Sequence, residues 1–111
     1  MCETLISMSD SSSLPLAAIQ SLRRLGRDLA LARRKRRIST TDMAQRLFVS
    51  RSTLWRLENG DPNVSVGTLA TAAFILHFHD RLAGIASPAE DQLGLSLEEQ
   101  RLPKRIHRPR L

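Results

Sequence analysis

Apolar residues return at three- and four-residue steps through the middle of this 111-residue chain. Leu22, Leu25, Leu29 and Ala32 predict a first helix with one apolar stripe. Pro15 suits the start of that helix, where a missing N–H is harmless. Met43, Ala44 and Leu47 mark a second helix. Ser39 can cap it, because its hydroxyl accepts a free N–H of the first turn. Asp42 follows three residues later and suits a positive helix end. Phe48-Val49-Ser50 then breaks the pattern. Ser50 can cap a third helix carrying Leu54 and Leu57 on its inner face. Gly60 closes it, since glycine accepts the left-handed conformation that ends many helices.

Asp61-Pro62-Asn63 reads as a turn. Ser65 can cap a fourth helix through about His77, with Val66, Leu69, Ala72, Ala73 and Leu76 inward. Phe74, Ile75 and Phe78 add apolar surface on its other faces. Such a helix needs cover on more than one side. A fifth helix from Asp80, with Leu82, Ala83 and Ile85, and a second subunit are the expected covers. The reading is all-α: a five-helix domain over residues 16–86.

The ends read differently. Residues 1–15 are rich in serine and are expected to be disordered. Ser87-Pro88 ends the compact part, and residues 87–111 form a tail with scattered leucines. Ser96-Leu97-Glu98-Glu99 can start one helical turn, and Pro103 and Pro109 oppose anything longer. The tail reads either as loose chain or as a partner-docking arm that orders on contact.

Charge narrows the choice of partner. The net charge is +6. Residues 23–56 carry eleven Lys or Arg against only Asp28 and Asp42. Residues 101–110 add five basic residues and no acid. This balance favours a polyanion, nucleic acid before an acidic membrane. Arg33-Arg34-Lys35-Arg36-Arg37 reads as a solvated helix end or as a phosphate contact, and the run alone does not decide. Cys2 is the only cysteine, so no disulfide can form within one chain, which fits a reducing cytoplasm. No apolar run reaches membrane-spanning length, and the N-terminus lacks a basic region followed by an apolar core. A soluble, cytoplasmic protein is expected.

Two short helices with a tight turn, the second showing arginine and serine outward, suit insertion in a DNA major groove. Arg51 and Arg56 can donate to guanine, Ser52 can adapt, and Trp55 can make apolar contact or pack on a neighbour. Ser50, at the start of the same helix, is expected to contact the DNA with them. Thr40 and Asn59 are expected on phosphates, which supply affinity without sequence choice. No nucleophile–base pair, metal-ligand cluster or glycine-rich phosphate loop is present, so no catalytic residue, metal or cofactor is expected. His77 and His79 are two apart, and a helix points them in different directions.

Ser39 to Gly60 resembles the helix-turn-helix of the Xre and lambda-repressor family. The matching residues are Ser39, Asp42, Met43, Ala44, Val49, Ser50, Leu54, Leu57, Glu58, Asn59 and Gly60. One position departs: the family's turn glycine is Phe48 here. Phenylalanine is poor at positive φ, so either the turn differs or Phe48 is strained. The resemblance implies a pair between Arg33 of the first helix and Glu58. Asp61 to Leu69, and the tail Gly94 to Arg108 with Leu102-Pro103-Lys104-Arg105-Ile106, resemble the HipB-like branch. That branch implies a DNA-binding antitoxin paired with a HipA-type kinase toxin. The few contacts of one helix-turn-helix and the surplus apolar surface of Phe74, Ile75 and Phe78 predict a homodimer on a palindromic operator. A stand-alone repressor without a toxin partner is the alternative.

Overall fold

The computed structural model describes residues 13–107, with side chains through residue 100. Most of the expected disordered segment, residues 1–12, lies outside that range, as does Pro109. The described residues are all-helical. They run α1 (Leu16–Lys35), α2 (Thr40–Leu47), α3 (Arg51–Glu58), α4 (Val66–Ile75), α5 (His79–Ala83), a 3-10 turn (Pro88–Glu90) and α6 (Gln92–His107). The chain divides into two units, residues 1–79 and 80–111.

Three serines start the central helices. The Asp42 N–H donates to Ser39 Oγ at 3.0 Å, Thr53 N–H to Ser50 Oγ at 3.1 Å, and Thr68 N–H to Ser65 Oγ at 3.0 Å. Each bond satisfies a donor that the first helical turn leaves free. Asp42 does not complete a capping box; its carboxylate accepts from Arg46 at 3.0 Å, one turn on.

The core of the first unit is Leu29, Ala32, Met43, Ala44, Leu47, Leu54, Leu57, Ala72 and Leu76. α3 packs against both α1 and α2, and α2 also packs against α4. Buried Ala44 keeps side-chain bulk out of the centre. Ile38, Val49, Val64, Leu69, Ile75 and Phe78 pack around this centre, partly buried.

Two glycines set how closely α1 meets the end of α3. A Cβ on Gly26 would lie 2.6 Å from the Glu58 carbonyl oxygen, closer than any side chain tolerates. Gly60 has φ 77°, and a Cβ there would lie 2.6 Å from the Arg23 Cα. Gly60 is thus required twice, by its left-handed backbone and by the approach of α1. Gly26 carried no periodic signal and was not anticipated.

The structure corrects four expectations. Val66 does not face inward: it is 77% exposed, because it opens α4 before that helix turns onto the core. Of the surplus apolar residues, Ile75 and Phe78 already pack on the core, and only Phe74 stays exposed. α5 has five residues, none of them buried, and ends at Ala83, so Ile85, expected on this helix, lies beyond it. The C-terminal segment is not limited to one helical turn. Asp91, not Ser96, starts its helix: Asp91 Oδ1 accepts the Gly94 N–H at 2.9 Å, and its carbonyl accepts the Leu95 N–H at 2.9 Å. The earlier start places residues 92–102 in helix before Pro103, and α6 continues through the proline to His107. A proline removes one hydrogen bond and kinks such a helix without necessarily ending it.

Candidate nucleic-acid interface

α2 and α3 form the two arms of a helix–turn–helix. Phe48 makes the turn. It closes α2 with φ 58° and ψ 40°, the left-handed conformation. Its N–H donates to the Gln45 carbonyl, and the Val49 N–H returns to the Ala44 carbonyl. The turn therefore keeps the geometry that a glycine would give, and the strain falls on Phe48. Its ring is 92% exposed and gains no packing in return.

Leu54 and Leu57 anchor the inner side of α3. At 100° per residue this leaves Arg51, Ser52, Trp55 and Arg56 on the outer side. Arg51, Ser52 and Trp55 are exposed, and Arg56 is half-buried. Arg51 Nη1 reaches Thr41 Oγ1 at 3.4 Å, a long contact linking the first turns of α2 and α3. Thr40 is exposed beside it at the start of α2. The Ser50 hydroxyl is occupied: it caps α3 and also donates to Thr53 Oγ1 at 3.1 Å. Asn59 Nδ2 donates to the Trp55 carbonyl at 2.8 Å. An amide nitrogen has two N–H groups, and this bond uses one of them.

Arg56 has a partner that the sequence reading missed. Its Nε lies 3.4 Å from Asp61 Oδ2. That nitrogen is shut off from solvent and makes no hydrogen bond, so the contact is purely an ion pair. The carboxylate follows the arginine by five residues across the Gly60 turn, a spacing outside the helical rule that pairs residues three or four apart.

Arg33 and Glu58 meet. Arg33 Nε donates to Glu58 Oε2 at 2.8 Å and Nη2 to Oε1 at 3.3 Å. Arg33 Nη1 donates to the Ile38 carbonyl at 3.0 Å, in the link between α1 and α2. The side chains are 9% and 13% exposed. The remaining basic run divides: Arg36 donates to the Ala32 carbonyl and stacks on Phe78, its guanidinium carbon 5.2 Å from the ring centre. Arg34, Lys35 and Arg37 stay exposed.

The family profile described as a helix-turn-helix domain matches residues 24–83, more than half of the chain. The chain belongs to the helix-turn-helix domain family. That membership and the outward basic face of α3 make DNA binding in regulation its functional class. No curated protein and no solved structure matches the chain. Among the described residues, no helix is long and apolar enough to cross a membrane. Among them, too, no group of three or more His, Cys, Asp or Glu side chains is placed to hold a metal ion.

Proposed function

We propose that this protein is a cytoplasmic transcriptional repressor that binds a palindromic double-stranded operator as a homodimer. The observation that carries the reading is the outer face of α3. Arg51, Ser52 and Trp55 project from a helix whose other side is locked into the core. A rigid helix with donors on its free side is what base-edge recognition in a major groove needs. Thr40 and the second N–H of Asn59 flank that face as phosphate contacts. One such helix makes too few contacts for tight specific binding, which favours a pair of half-sites about 34 Å apart. Phe74, exposed on α4, offers apolar surface to a second subunit. No enzymatic step is assigned to this chain.

The likeness of residues 61–69 and 94–108 to the HipB-like branch extends the reading to an antitoxin. In that role the protein would neutralise a HipA-type kinase toxin and repress its own operon. A stand-alone repressor shares every DNA contact and lacks the toxin.

Titration of the protein with the DNA upstream of its own gene tests the core reading. Six neutralised phosphates would give a slope of log affinity against log salt near about −5. A slope near zero sinks the DNA reading. Sedimentation showing a micromolar monomer on a single half-site sinks the dimer. Co-expression with a neighbouring kinase-like reading frame tests the antitoxin role: rescue of growth supports it, and unrelieved toxicity leaves the stand-alone repressor.

A further inference from the structure

We infer that Asp61 is a positioning residue for Arg56, holding its guanidinium so that the free edge reads a single base pair. The inference rests on the DNA-binding reading above and deepens it.

Asp61 is fixed at three atoms. Past the left-handed Gly60, the chain turns back, and the Asp61 N–H donates to the Arg56 carbonyl at 2.9 Å. Its Oδ1 accepts the Asn63 N–H at 2.8 Å, an Asx turn that sets the side-chain rotamer. The other oxygen, Oδ2, then lies 3.4 Å from Arg56 Nε, an ion-pair contact without a hydrogen bond. The carboxylate is thus placed by the backbone on both sides, independently of any DNA.

Arg56 is held from one end only. Its Nε is shut off from solvent, and its side chain as a whole is less than half exposed. A guanidinium presents five N–H groups in a planar fork. The Nε side faces Asp61, which leaves the Nη groups for a partner. Paired N–H groups of that kind match the two acceptors of guanine in the major groove. A long side chain held before binding loses less freedom when it binds.

The same carboxylate repels phosphates of any sequence. Asp61 should therefore weaken general DNA affinity while sharpening choice at one base pair. A merely structural role moves neither quantity in this way. An internal competitor for Arg56 would move both in the same direction.

The test is selection from a randomised duplex library, with the wild type, Asp61→Asn, Arg56→Gln and the double variant. Asparagine keeps the Oδ1 acceptor for Asn63 and removes the charge. Asp61→Asn should lower the preference at one base pair by about 3- to 10-fold and tighten binding to non-cognate duplex. Arg56→Gln should abolish preference at that same pair, and adding Asp61→Asn should then change nothing there. If Asp61→Asn unfolds, Asp61→Ser repeats the test, since its hydroxyl can also accept the Asn63 N–H. Unchanged or increased preference in the charge-removed variant overturns the inference while the wild type still selects a site. A wild type that selects no sequence overturns it together with the DNA reading.

Discussion

Arg33 and Glu58 join α1 to the last turn of α3 through two parallel contacts, at 2.8 and 3.3 Å, among side chains that scarcely reach solvent. The third arm of the guanidinium holds the Ile38 carbonyl, so one side chain ties α1, the link to α2 and the end of α3. Removing either partner strands a buried charge and should cost about 3–5 kcal/mol. Replacing both with apolar residues of similar size should cost much less. Thermal unfolding of Glu58→Gln, Arg33→Met and the double variant measures this. Additive losses would show that the two residues are not coupled.

Gly26→Ala should destabilise the protein, although alanine is the better helix former by about 1 kcal/mol. The added methyl would meet the Glu58 and Leu57 carbonyl oxygens, and both are backbone atoms that cannot rotate away. Overpacking of this kind costs about 1–3 kcal/mol. Denaturant unfolding gives the sign, and a stabilised Gly26→Ala would mean that α1 can move off α3 freely.

Phe48→Asn should stabilise the fold, by up to about 1 kcal/mol, because asparagine tolerates the left-handed region and no buried contact is lost. Phe48→Val should do the reverse, since a branched Cβ fits that backbone worse. A melting-temperature series across the three residues checks the order. Valine equal to asparagine would show that the turn carries no strain.

Arg51→Ala should flatten the preference at one base pair of each half-site, worth about 1–3 kcal/mol of discrimination. Thr40→Ala should instead weaken binding about equally across operator variants, as loss of a phosphate contact does. An unchanged ranking of operator variants with Arg51→Ala would remove that arginine from base reading.

What could be read from the chain was what acts locally. Ser39, Ser50 and Ser65 each cap because the rule involves neighbours three residues away. Met43, Leu47 and Leu54 are buried because periodicity marks a helix face. Gly26 was invisible, since its value lies in a carbonyl thirty-two residues further on. Val66 misled because periodicity does not say where a helix first touches the core. Asp91 and Ser96 are both cap-forming residues, and nothing local to either says that the helix starts at Asp91. On the interface, the outward positions of Arg51, Ser52 and Trp55 followed from helical geometry. The tie between Arg56 and Asp61 did not, because it spans a turn whose path depends on Gly60.

The bare contact at Gly26 has a consequence for how this molecule can change. Where α1 meets the end of α3, peptide planes touch with no side chain between them. At that one point there is no side chain to repack when residues on the far side of α3 are exchanged. Exchanges at Arg51, Ser52 and Trp55 therefore leave the Gly26 contact in place. Under the proposed function, single exchanges on that face reach new target sequences with this backbone contact of α3 kept.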